Sequence, residues 1–73
     1  MKNVDDLIQI ASAGGGLVID ANLLTTTDLI RVASYAAGKG SRVIMKGVSS
    51  MSVQDLEKIA HSGDGAVIFD FTQ

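Results

Sequence analysis

The string Asp6-Leu7-Ile8-Gln9-Ile10-Ala11-Ser12 returns in this chain as Asp28-Leu29-Ile30-Arg31-Val32-Ala33-Ser34 and, more loosely, as Asp55-Leu56-Glu57-Lys58-Ile59-Ala60-His61. The copies start 22 and then 27 residues apart. Each is followed by a glycine cluster: Gly14-Gly15-Gly16, Gly38-Lys39-Gly40 and Gly63-Asp64-Gly65. Each cluster leads into a short aliphatic run: Leu17-Val18-Ile19, Val43-Ile44-Met45 and Val67-Ile68-Phe69. Three features in one order, met three times, constrain the fold more than any single residue does.

The first feature reads as a helix. Asn3, Thr25 and Ser52 each stand three residues before an aspartate (Asp6, Asp28, Asp55). A short polar side chain there accepts from an early backbone N–H, and the aspartate sits at the positive end of the helix dipole. Leu24 and Met51, just before two of these caps, are placed to pack on Leu29 and Leu56. Apolar residues then recur at helical spacing: Val4, Leu7, Ile8, Ala11; Leu29, Val32, Ala33, Ala36; Val53, Leu56, Ile59, Ala60. Glycine closes each helix, where a left-handed residue is wanted. The aliphatic runs, short, apolar and rich in β-branched residues, read as strands.

The expected map is helix 3–13, strand 17–22, helix 25–37, strand 42–48, helix 52–62 and strand 66–71. Strand–helix–strand links of this length make parallel neighbours with right-handed crossovers. The expected fold is a single α/β domain over 1–73: three tandem helix–strand repeats with a three-stranded parallel sheet in order 1-2-3. Repeated units stack by one repeated operation, which favours that order over 2-1-3. Order 1-2-3 puts the helices mainly on one face of the sheet. The other face is then expected to expose Val43, Met45, Val67, Phe69 and Phe71, and Val18 is grouped with Val43, Val67 and Phe69, opposite Ile19, Ile44 and Ile68.

Composition sets the function classes. A chain of 73 residues buries about 60% of its unfolded surface and sits near the lower limit for folding alone. It has no cysteine and one histidine, so disulfides and a thiolate zinc site are out of reach. Association with a second copy is the remaining way to gain buried surface. Freedom from cysteine also suits a reducing, cytoplasmic compartment. The net charge is −2, no basic run exists and the aromatics are one Tyr and two Phe, so a nucleic-acid footprint is not expected. No apolar run approaches membrane-span length, and the first residues carry acids where a signal peptide carries cations.

The helix–glycine turn–strand unit resembles the repeat of leucine-rich-repeat-like α/β solenoids. Leu17-Val18-Ile19-Asp20-Ala21-Asn22 has the flavour of their strand segment without its full pattern. The resemblance implies a binding scaffold whose partners meet the strand face. No position matches specifically enough for a functional residue to be carried over.

Three features invite chemistry. Gly38-Lys39-Gly40-Ser41 has the composition of a phosphate-binding loop, but such a loop follows a strand and opens a helix, and this one does the reverse. His61 sits in the last turn of the third helix, where the dipole favours a cation, with no partner indicated. Asp20, Asn22, Lys46 and Asp70 fall at the C-terminal ends of adjacent strands, where open α/β sheets place ligands. Solvated strand ends with cross-strand charge pairing account for that cluster equally simply. No set of residues points to catalysis, to a cofactor or to a metal.

The expected function is therefore a non-catalytic interaction module or self-associating domain. It uses the apolar sheet face or a sheet edge to meet itself, as a homodimer, or another protein. The alternative is a small-ligand binder or minimal enzyme built on the strand-end cluster.

Overall fold

Three short polar side chains start the three helices. Asn3 Oδ1 accepts from the Asp6 N–H (3.0 Å), Thr25 Oγ1 from Asp28 (3.1 Å) and Ser52 Oγ from Asp55 (3.1 Å). In the computed structural model, which describes residues 3–72, they open α1 (Val4–Ser12), α2 (Thr26–Ala36) and α3 (Val53–Gly63). Strands β1 (Leu17–Asp20), β2 (Val43–Lys46) and β3 (Val67–Phe69) alternate with them. The strands form one parallel sheet in order β1-β2-β3. The register pairs Val18 with Ile44 and Ile44 with Ile68, and pairs Ile19 with Met45 and Met45 with Phe69.

One core holds the two layers together. Leu7 and Ala11 of α1, Leu29, Val32, Ala33 and Ala36 of α2, and Ile59 of α3 bury against Ile19, Val43 and Met45 of the sheet. Leu29, Val32 and Ile59 lose essentially all contact with water, each contributing about 1.5–3 kcal/mol. Helix α2 packs between α1 and α3, and its small Ala33 and Ala36 let the neighbours come close. The end of α3 shows how close. A Cβ on Gly63 would stand 2.6 Å from Val67 Cγ2, so only glycine lets the helix settle on the start of β3.

The exposed face of the sheet is the opposite of the expected one. Val43 and Met45 are completely buried, and Val67 and Phe69 are half-buried against the core. They point at the helices, not away from them. Val18 also changes sides: the register places it with Ile44 and Ile68 on the open face. Of the five residues expected there, Phe71 alone is exposed, beyond the end of β3. The physical reason is the covering layer. Helices bury whichever strand face carries the longer apolar set, and Leu17, Ile19, Val43, Met45, Val67 and Phe69 outnumber Val18, Ile44 and Ile68.

The strand ends also differ from expectation. β1 stops at Asp20 rather than running to 22, because Asp20 Oδ1 accepts the Asn22 N–H (2.9 Å) and turns the chain into a single 3-10 turn, Ala21–Leu23. α3 runs one residue further than expected, through Gly63, and the left-handed conformation falls on Asp64 and Gly65. Ser41 lies buried just before β2 and donates through Oγ to the Ala11 carbonyl oxygen at 2.6 Å. The hydroxyl of the phosphate-loop-like segment is thus committed to the last turn of α1.

Candidate functional site

Two surfaces stand out, and both are built by the ends or the open side of the sheet. The first is the open face. Val18, Ile44 and Ile68 are opposite one another in register on three adjacent strands. Val18 is 64% exposed and Ile68 47%, with Ile44 half-buried between them. The row continues two residues on in each strand as Asp20, Lys46 and Asp70. At the other end of β2, Arg42 is held by a hydrogen bond from Nη1 to the Gly65 carbonyl oxygen (3.2 Å).

The second is a recess of about 360 Å³ at the C-terminal ends of β1 and β2, open to solvent and lined by Asp20, Asn22, Lys46, Gly47, Ser49 and Ser50. Its two walls are the 3-10 turn after β1 and the turn after β2, closed by a bond from the Met51 N–H to the Val48 carbonyl oxygen (3.0 Å). Val48 is fully buried and anchors that second wall in the core. Gly47 forms the floor with φ +70°, and a Cβ there would lie 2.5 Å from Asn22 Nδ2. The two walls therefore meet over a residue that has to be glycine.

Of the expected polar cluster, the structure brings Asp20, Asn22 and Lys46 into this recess. Asp70 stands beside it and not in its lining. Its Oδ1 accepts both the backbone N–H and the hydroxyl of Thr72. These bonds, with a smaller attraction from Lys46, hold the Asp70 carboxyl below its ordinary value. Among the described residues no ion pair within 4 Å joins Lys46 to either aspartate; the ion pairs are those of Arg31 with Asp5 (3.4 Å) and Asp28 (3.5 Å). Those are exposed and worth about 1 kcal/mol or less. His61 is exposed in the last turn of α3 and does not line the recess.

Sequence reasoning missed Gly47, Ser49 and Ser50. The signal for them was positional: Lys46-Gly47-Val48-Ser49-Ser50 follows a strand and opens a helix, the order that Gly38-Lys39-Gly40-Ser41 lacks.

Fold and surfaces together define a two-layer α/β domain with a parallel sheet covered on one side by helices. Comparison with models of protein families, with curated proteins and with solved structures finds no match to this chain. No helix among the described residues is long and apolar enough to cross a membrane.

Proposed function

We propose that this domain is a non-catalytic self-association module that pairs with a second copy through the open face of its sheet. The observation that carries the reading is the in-register row Val18, Ile44, Ile68, exposed on a face that no helix covers. The row is small, but it lies in register across all three strands, which makes the open face the first candidate for a contact surface.

A second copy fits the charges at the two ends of the row. Arg42 precedes β2 at one end, while Asp20, Lys46 and Asp70 stand at the other with one net negative charge. A twofold axis lying across the strands brings the Arg42 end of one copy over the acidic end of its mate, twice. The leucine-rich-repeat-like scaffolds that the repeat resembles also meet partners on the strand face.

Size sets the strength. Three strands about 4.8 Å apart and four residues long at about 3.3 Å each give a face of roughly 14 by 13 Å. Two such faces remove about 360 Å² from water, a gross gain of about 9 kcal/mol at 25 cal/mol/Å². Association costs about 4–15 kcal/mol; at the low end of that range about 5 kcal/mol is left, which makes a weak pair with a dissociation constant on the order of 0.2 mM. At about 180 Å² per partner the face is well below the standard interface of about 800 Å² per partner.

Sedimentation equilibrium over a wide concentration range tests the reading. The expected result is reversible dimerisation that Ile44→Lys abolishes while circular dichroism stays unchanged. A wild type that stays monomeric at millimolar concentration contradicts it. So does a dimer indifferent to Ile44→Lys, which would point to a sheet edge or to another protein as the partner of the open face.

A further inference from the structure

We infer that the recess between the β1 and β2 turns is a separate binding site for a small polar molecule carrying one anionic group and a hydroxyl beside it. The recess shares Asp20 and Lys46 with the charged end of the proposed dimer face, so the inference is tested apart from self-association, at a concentration where sedimentation shows monomer.

The lining selects this chemistry. Lys46 is half-buried and, among the described residues, has no carboxylate within 4 Å. A positive ammonium that faces a recess and makes no ion pair within 4 Å among the described residues can take an anionic group, and charge-assisted hydrogen bonds of that kind are the strong ones. Asp20 faces the same recess. Its Oδ1 is already committed to the Asn22 N–H, which leaves Oδ2 to accept from a ligand hydroxyl. The Asn22 amide and the Ser50 hydroxyl both donate and accept, so either completes the ligand's polar contacts. An anion alone would meet repulsion from Asp20; a molecule whose hydroxyl points there turns that repulsion into a bond.

The lining also excludes other classes. Among the described residues it contains no aromatic or branched aliphatic side chain, so nothing there stacks on a base. The volume of about 360 Å³ corresponds to about a dozen water molecules. That is the lower end of ligand pockets and suits a compact molecule on the order of ten heavy atoms. The recess lies at the C-terminal ends of β1 and β2, the end of a parallel sheet from which loops reach ligands; with strand order β1-β2-β3 there is no switch point, and the two turns themselves form the gap. Gly47 makes the gap possible, since any side chain on it would run into Asp20 and Asn22.

The test is an amide-resolved NMR titration of the whole chain with four probes: glycerol 3-phosphate, glycerate, propionate and glycerol. Glycerol 3-phosphate and glycerate distinguish phosphate from carboxylate as the anion. Propionate lacks the hydroxyl, and glycerol lacks the charge. The expected result is saturable shifts at Asn22, Gly47 and Ser50 with at least one of the first two, at a dissociation constant below about 10 mM. Propionate should bind at least about fivefold more weakly than glycerate if the carboxylate is the anion, and glycerol should leave the spectrum unchanged. Lys46→Gln should weaken the winning probe by about tenfold or more, with Lys46→Met as a second variant should the first fail to fold. Shifts that never saturate, that spread over the whole surface, or that survive both variants would overturn the site.

Discussion

Gly47 lies directly beneath Asp20: a Cβ on Gly47 would stand 2.7 Å from the Asp20 carboxylate oxygen Oδ1. This close approach sets the turn after β2 against the turn after β1, beside the pairing of Asp20 with Lys46 at the strand ends. Gly47→Ala should therefore cost in two ways, by forcing an L-residue into φ +70° and by pushing the Asp20–Asn22 turn away. The expected loss is about 1–3 kcal/mol in urea denaturation. Adding Asn22→Ala should return part of it, since the crowding amide is then gone; a double variant no better than the single would show that the backbone angle alone is responsible.

Ser41→Ala removes the hydroxyl that satisfies the Ala11 carbonyl in a buried site. Leaving that oxygen without a partner should destabilise the fold by about 1–3 kcal/mol. Loss of protection at amides of α1 in hydrogen exchange should accompany it, because Ser41 ties that helix to β2. A variant as stable as the parent would mean that water or another donor replaces the hydroxyl.

Thr25→Ala and Ser52→Ala should each cost about 0.5–2 kcal/mol, because each strips an early helix N–H of its acceptor. Chemical denaturation of the single variants measures this. Thr25→Ser and Ser52→Thr, which keep the oxygen, should stay within a few tenths of a kcal/mol of the parent.

These caps show what was legible in the sequence. A cap is a local device: Thr25 and Asp28, three residues apart, carry all the information needed to place the start of α2. The parallel order of the strands was legible too, since the helix–strand alternation leaves few topologies. Which strand face the helices cover was not legible in the same way. Alternation fixes the two faces of each strand but not how neighbouring strands are shifted, and a slip of one residue exchanges the faces. Val18 was placed with Val43 for that reason. The missing signal was two residues away: Val18, Ile44 and Ile68 are each followed at the same parity by a charge, Asp20, Lys46 and Asp70. A charge at i+2 marks the solvent side of a strand, so the open face was written at the strand ends. The recess was half legible. Asp20, Asn22 and Lys46 were expected together, but its second wall comes from a turn whose shape depends on the burial of Val48.

Asp70 gives a pH dependence of known sign. The hydrogen bonds from Thr72 come first among the causes that lower its pKa in the folded chain, with Lys46 adding a smaller share. An acid whose folded pKa lies below its unfolded one adds stability that is present above the unfolded value and is lost as pH falls through the folded one. The change therefore belongs below about pH 4, where free aspartates titrate. Carboxyl carbon shifts in an NMR titration should place Asp70 below the ordinary aspartate value, and Thr72→Val should raise it. An Asp70 that titrates at the ordinary aspartate value would show that the Thr72 bonds do not persist in solution.

The open face is the central claim, and intermolecular contacts between its methyl groups test it most directly. In a concentrated sample that mixes isotope-labelled and unlabelled chains, isotope-filtered NMR reads contacts across the pair alone. The expected result is cross-peaks linking the Ile44 methyls of one copy to Val18, Ile44 or Ile68 methyls of the other. Cross-peaks from Val53 or Ile10 on the helices instead, or none at a concentration where sedimentation shows dimer, would contradict it.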